Sequence, residues 1–328
     1  MLRKGVQENA LIPMREENGS RVKEFILLGF PGSCELQISL FIFFFFMYLL
    51  TIIGNVSIIV LVKNVQRLHT PMYFFLCNLS FLEIWYTSAC IPKMLSILVA
   101  QNQAISFIGC LTQMYIVFSL GCTEYFLLAA MAYDRYLAIC HPLHYNIIMS
   151  RTLSVQMAFG CWTCGFLIIL FPAFFISRLS FCNSNVINHF FCDIDPWIVL
   201  SCTSTYTVEM VCLILFAIVI VGSCMITLIS YIYIIATILR IASVQGRQRA
   251  FSTCSSHLTV VIIWYGATIF LHVIPSKEQS KELTKIITVL NTVVTPLLNP
   301  FIYTLRNAEV QEALRTVLRA SAINLSNR

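Results

Sequence analysis

The chain has 328 residues, 58% hydrophobic and only 11% charged, with 25 phenylalanines and a mean hydropathy of +0.82. A water-soluble domain carries about 25% charged residues, so this composition excludes a soluble fold and makes lipid the solvent for most of the surface. The net charge of +6 is spread thinly, and no feature points to nucleic acid as a partner.

Residues 1–37 read as a polar N-terminal tail of mixed charge (Arg3, Lys4, Glu8, Arg15, Glu16, Glu17). They contain no short apolar core followed by a small-residue cleavage site, so no cleavable signal peptide is expected. The first apolar helix is then expected to direct insertion. Asn18-Gly19-Ser20 is a glycosylation sequon in this tail. Asn55-Val56-Ser57 and Asn78-Leu79-Ser80 have the same form but fall inside apolar segments, out of reach of a glycan.

A spanning helix needs about 20 mostly apolar residues. Seven segments meet that need, at 38–62, 71–98, 107–139, 154–176, 206–239, 250–274 and 284–305. The expected fold is therefore an all-α integral membrane bundle of seven helices, residues 38–305, with several spans long enough to tilt or project. Glu83 and Glu124 interrupt the second and third spans. No internal repeat is visible, which argues against an inverted-repeat transporter.

Seven spans place the two termini on opposite sides. With the N-terminus outside, the cytoplasmic side holds 11 of the 21 basic residues, so Lys and Arg counting alone does not orient the chain. The acids sharpen the contrast: three (Asp134, Glu309, Glu312) lie inside and ten outside, where they equal the basic residues in number. Cys182, Cys192 and Cys202 crowd the long loop after the fourth span, and Cys110 opens the third span on the same side. Disulfides persist in oxidising compartments, which makes that side external. Four cysteines allow three pairings. The remaining cysteines lie mostly in apolar spans and read as small buried hydrophobes, with Cys34 an external thiol.

Beyond the seventh span, Val310, Ala313, Leu314, Val317 and Leu318 form one apolar stripe, with Glu309, Glu312, Arg315 and Arg319 opposite and Asn307 as N-cap. Residues 306–328 are thus expected to form a cytoplasmic tail with a short amphipathic helix on the membrane surface.

Six motifs, in order, resemble those of the olfactory receptor family within the rhodopsin-like G-protein-coupled receptors. They are Gly54-Asn55; LHTPMYFFLCNLSFLEI, Leu68 to Ile84; MAYDRYLAICHPLHY, Met131 to Tyr145; Ser230-Tyr231; RAFSTCSSHLTVV, Arg249 to Val261; and PLLNPFIYTLRN, Pro296 to Asn307. The resemblance runs from about Phe25 to Arg319. It implies a plasma-membrane receptor that binds a small volatile odorant and activates the olfactory stimulatory G protein, raising cyclic AMP, rather than an enzyme. It also implies that Asp134 holds Arg135 at rest, within Asp134-Arg135-Tyr136, and that Tyr231 and Tyr303 re-pair near Arg135 on activation. Asn299-Pro300 with Tyr303 resembles the motif where the seventh helix bends, and a proline there removes a backbone hydrogen bond. The same resemblance pairs Cys110 with Cys192 and Cys182 with Cys202.

Helix rise puts Glu83 about 18 Å and Glu124 about 15 Å from the inner edge, with Asn55 and Asn299 about 10–12 Å from it. An acid at mid-membrane costs on the order of 3 kcal/mol, so both should turn inward. Two close carboxylates do not both ionise cheaply. Asn55, Glu83, Glu124 and Asn299 are accordingly a candidate proton or sodium site, sodium being the one cofactor considered; the alternatives are neutral carboxyls that only brace the helices, or an ion-translocating pathway. His189, Asp193 and Asp195 on the long loop read as solvated polar residues rather than a metal site.

Aligned on the motifs, the ligand pocket is expected between the outer halves of spans three, five, six and seven. It draws on Phe118, Gly121, Cys122 and Tyr125, on Leu215 and Val219, and on Tyr265, Thr268, Ile269 and His272. These side chains suit a small apolar molecule with one polar group. No basic residue is expected deep in the bundle, which disfavours an anionic ligand held by a buried ion pair, although Lys93 and Arg178 near the outer edge keep that option open. Tyr265 stands where many rhodopsin-like receptors carry tryptophan, a departure shared with olfactory receptors.

Overall fold

The computed structural model describes residues 22–100, 102–182, 184–273, 280–305 and 310–315. Seven rods form one bundle: α1 (Cys34–Asn64), α2 (Pro71–Ala100), α3 (Phe107–Cys140), α5 (Arg151–Ile176), α7 (Tyr206–Arg240), α8 (Val244–Val273) and a seventh made of α9 (Ser280–Val289) and α10 (Thr295–Leu305). Short helices α4 (Pro142–Ile148) and α6 (Ile194–Leu200) lie in connecting segments. Among the described residues, six rods are long and apolar enough to cross a membrane; α8 carries a shorter apolar stretch, His257–Phe270. Its first turns hold Gln245, Arg247 and Gln248, so it begins six residues before the segment read at 250–274 and projects beyond it.

Serine hydroxyls start three of the rods. Ser33, Ser106 and Ser150 accept from the amides of Leu36, Gly109 and Leu153 at 3.3, 3.1 and 3.2 Å, meeting amides that have no partner within the helix. α3 is the central strut, packed most extensively on α5 and α7. α1 leaves Phe43, Phe45 and Phe46 exposed, as expected where lipid is the solvent. Small residues set the close approaches. A methyl at Gly165 of α5 would fall 2.1 Å from the Thr123 hydroxyl of α3, and one at Gly54 of α1 would fall 3.1 Å from Pro300.

The seventh rod departs from the continuous helix read at 284–305. Between α9 and α10, residues Leu290–Val294 form a wide π turn in which the Thr295 amide reaches back to Leu290 O. Pro296 has no amide to continue the ordinary ladder. The Thr295 hydroxyl also donates to Leu290 O, at 3.0 Å.

At one end of the bundle, three segments read as coil or loop join in a small sheet. Strand β1 (Glu24–Leu27) pairs antiparallel with β2 (Ala104–Ser106) and parallel with β3 (Val186–Ile187). Alternation buries Phe25 and Leu27. The Phe25 ring lies 4.9 Å from that of Trp197 and 5.4 Å from that of Phe181. Disulfides Cys110–Cys192 and Cys182–Cys202 tie the long loop to α3 and to itself. Sheet, loop and α6 make a lid over this end. At the opposite end, Val310 and Ala313 are buried and Arg67 meets Glu312 at 3.2 Å.

Candidate functional site: a lidded cavity above a polar layer and an arginine lock

Beneath the lid lies a cavity of about 460 Å³. Phe118, Gly121, Cys122 and Tyr125 line it from α3, Val219 from α7 and Thr268 from α8. Gly121 leaves open space where a methyl would stand. The Tyr125 hydroxyl donates to Thr268 at 2.5 Å, and the Thr268 hydroxyl to Trp264 O at 3.0 Å, joining α3 to α8 at the floor.

Three expected residues lie elsewhere. Leu215 is half-buried but outside the lining, because the inward stripe of α7 runs through Cys212, Phe216 and Val219, one residue out of phase. Tyr265 is buried below the floor with its ring 5.3 Å from Tyr125, while Trp264 lines the cavity. Ile269 turns outward and is 51% exposed. The side chain of His272 falls outside the described residues, as do Tyr303, Asn307 and Asn18.

The cavity also draws on positions that alignment on the motifs did not select. Tyr86 enters from α2, and Thr284, Thr288, Asn291 and Thr292 from the seventh rod. Those four of the seventh rod recur at i, i+4, i+7 and i+8 and so share one helical face, but the set expected from the motifs takes no residue from that span. Phe191, Asp193, Ile194, Asp195 and Ile198 come from the lid, and Glu209 from the start of α7. Their signal in the sequence is adjacency to Cys192, which the disulfide carries over the bundle.

The lid residues are less solvated than their polarity suggests. His189 is buried, its ring 4.6 Å from those of both Phe190 and Phe191. Burial and the Lys285 ammonium push it down to about 3. Asp193 accepts from the Ile194 amide at 2.7 Å, and burial and the Asp195 carboxylate push it up to about 7. Lys285 is a buried cation, placed at the lid end of the seventh rod and not deep in the bundle. It is 1% exposed and donates to Asn188 Oδ1 at 2.8 Å and Gly29 O at 3.3 Å.

One layer below, Asn55, Glu83, Glu124 and Asn299 are all buried in the interior. Asn299 donates to Glu83 Oε1, and Asn55 donates to Thr51 O at 3.0 Å and Pro296 O at 3.2 Å. Glu83 Oε2, both Glu124 carboxyl oxygens, Ser119 Oγ, Asn55 Oδ1 and Asn299 Oδ1 have no hydrogen-bond partner among the described residues. Such a set, mostly carboxyl and amide oxygens, suits a hard cation or shared protons.

At the end opposite the lid, Asp134 receives Arg135 through Nη2 and, at 3.0 Å, through Nε. The Tyr145 hydroxyl donates to the second Asp134 oxygen at 2.8 Å. Burial, and next the Asp134 charge, push that phenol well above its ordinary range, which keeps it a donor. Tyr136 meets His141 at 3.0 Å. Tyr231 pairs with the buried His257 at 2.7 Å and donates to Cys254 O at 3.3 Å. Tyr145 and His257 lay inside the quoted motifs with no role assigned to them.

Comparison with known proteins places these features in one family. The olfactory receptor profile matches residues 44–320. The chain is 64% identical over 297 residues to olfactory receptor 6F1 of Homo sapiens, covering 90% of this chain and 96% of that relative. It is also 64% identical over 303 residues to olfactory receptor 287 of Rattus norvegicus, covering 92% and 97%. Squid rhodopsin has the same fold, with a TM-score of 0.69 at 16% identity over 89% of this chain and 88% of that one. The cavity beneath the disulfide-tied lid and the Asp134–Arg135 lock therefore sit in a seven-helix, multi-pass membrane receptor, and the chain belongs to the olfactory receptor family.

Proposed function

We propose that this odorant receptor binds small, mostly apolar volatile molecules in the lidded cavity and activates the olfactory stimulatory heterotrimeric G protein, raising cyclic AMP. It acts at the plasma membrane, lipid around its spans, with the N-terminus and lid outside and the Asp134–Arg135 end in the cytoplasm. The observation that carries this reading is that α3 belongs to both sites. Phe118, Gly121 and Tyr125 line the cavity, and Arg135 on the same helix is held by Asp134. From Phe118 to Arg135 the rise is about 25 Å, so a shift of α3 under a ligand reaches the lock directly. Cyclic AMP measured in cells expressing the chain with that G protein, across a volatile panel, tests it. A ligand-dependent rise lost in Arg135→Ala at equal surface expression is expected; a rise that persists in that variant would refute coupling through the lock.

The buried oxygens of Glu83, Glu124, Asn55 and Asn299 support a second role for the layer below, a sodium or proton site that biases the resting state. Signalling and stability that ignore both sodium and pH, in the wild type and in Glu124→Gln alike, would remove it.

A further inference from the structure

The cavity wall is thin on one side. Leu213 of α7 lines the cavity, yet its side chain is 64% exposed. Its neighbours in the wall, Cys212 and Val219, are buried. Helix geometry says which way the thin side looks. Eighteen residues make five turns of an α-helix, so Leu213 and Tyr231 stand on the same flank of α7, about 27 Å apart. Tyr231 is 5% exposed and reaches α8, through His257 at 2.7 Å and Cys254 O at 3.3 Å. Two more pairs at this spacing behave alike: Ile234 and Ile238 are buried, while Phe216 and Ile220, eighteen residues earlier and on the cavity, are half-buried. The flank of α7 that faces α8 is thus covered at the inner end and uncovered at the outer end. Between Glu209 and Arg240, α7 carries no charge, so this flank meets lipid and not water. The lid, by contrast, is fastened by two disulfides, by the three-stranded sheet and by Lys285.

Resting on the receptor reading above, we propose that the ligand enters the cavity sideways from the outer leaflet of the bilayer, along the α8 flank of α7, with Leu213 as the side chain it displaces. An exposed leucine changes rotamer within picoseconds to nanoseconds, so this gate opens without breaking a polar contact. Entry under the lid has to part the Lys285 bonds. The route selects a ligand class: molecules that dissolve in the bilayer first, with an apolar chain or ring and a neutral polar group. The bilayer concentrates them by about fourfold for each CH2 they carry. A permanently charged molecule with the same chain is held back by the cost of entering hydrocarbon, whatever the cavity walls would accept.

The test uses the purified full-length chain in lipid nanodiscs, with terminally trifluorinated C6–C10 1-alkanols as probes. Fluorine NMR exchange reads their transfer into and out of the cavity, and titration gives Kd. Referred to the free aqueous concentration, the wild-type association rate is expected to rise about fourfold per CH2 along the series. Leu213→Trp should slow association and dissociation together, by about tenfold, a larger change than in Kd, and Leu213→Ala should speed both. Lys285→Met should leave both rates unchanged. Equal melting temperatures of the unliganded Leu213 variants report that they fold, and the chain-length series needs no variant. An association rate flat along the series, or Leu213 variants with wild-type rates, would overturn the lateral route. Faster exchange in Lys285→Met would assign entry to the lid instead. Each of these results leaves the receptor reading standing. No bound signal from any member of the series would overturn the apolar-ligand reading of the cavity, and the route with it.

Discussion

The Lys285 ammonium on α9 donates to the Asn188 side-chain oxygen at 2.8 Å, and its second contact is the carbonyl of Gly29. A single buried cation therefore ties the seventh rod to the long loop and to the segment that follows β1. A hydrogen bond from a charged group contributes about 1.5–3 kcal/mol. Lys285→Met, which keeps the stem, is expected to lower the melting temperature by a few degrees. It should also speed amide exchange in residues 22–29 and 185–189 without changing exchange in α3. Unchanged exchange in those two segments would show that the disulfides hold the lid unaided.

Tyr145 shares Asp134 with Arg135. Removing its hydroxyl leaves the carboxylate with one fewer donor and loosens the resting arrangement. Tyr145→Phe is expected to raise ligand-independent signalling, by up to about tenfold if the lost bond is worth about 1.4 kcal/mol. The effect is read as basal cyclic AMP at matched surface expression. A basal level equal to wild type would remove Tyr145 from the lock.

Gly121 has nothing within 4 Å of the position a methyl would take. Gly121→Ala is therefore expected to fold as wild type and to shift preference toward smaller ligands. Gly121→Leu should abolish responses to the larger members of an active series, as dose–response curves across chain length would reveal. A loss of surface expression in Gly121→Ala would contradict the open space beside it.

The lid holds two titrating groups of opposite sign. His189, ordinarily near 6.5, is pushed down to about 3, so the unfolded chain takes up the proton first and stability falls as pH drops from about 6.5. Asp193, ordinarily near 3.8, is pushed up to about 7, so its contribution is fullest below 3.8 and is lost as pH rises toward 7. Between about 4 and 6.5 the two slopes oppose each other. Relative to wild type, Asp193→Asn should show melting temperatures that fall on acidification, and His189→Gln ones that fall as pH rises to 7. Three parallel profiles would show that neither group governs the lid.

Much of the fold was legible because lipid leaves a coarse signal: apolar stretches of spanning length, with charges mostly at their ends and Glu83 and Glu124 the exceptions. The arginine lock was legible as a local run, since Asp134 and Arg135 are neighbours. The polar layer followed from arithmetic, because helix rise alone puts Asn55, Glu83, Glu124 and Asn299 at related depths. The cavity was harder to read. Leu215 and Phe216 differ by one residue, and only packing against α3 decides which faces inward. Ile269 failed for the same reason. Asn291 and Thr292 continue the face of Thr284 and Thr288 at helical spacing; they were missed because the motif of the seventh span, Pro296 to Asn307, marks its inner end and leaves the outer half unmarked. The strand at Glu24–Leu27 is four residues long and has no partner within 70 residues in sequence, so it is visible only once three distant segments are brought together.

That sheet also sets an order of events during biogenesis. Its middle strand is made first, β2 follows the second span, and β3 follows the fourth. The early strand must wait, one edge unpaired, until roughly the first 190 residues have been synthesised and their loops delivered to the same side of the membrane. Closure of the cap is thus a checkpoint on the first half of the topology: a misoriented early span would withhold a strand and leave Phe25 and Leu27 uncovered, a lesion that folding surveillance can detect.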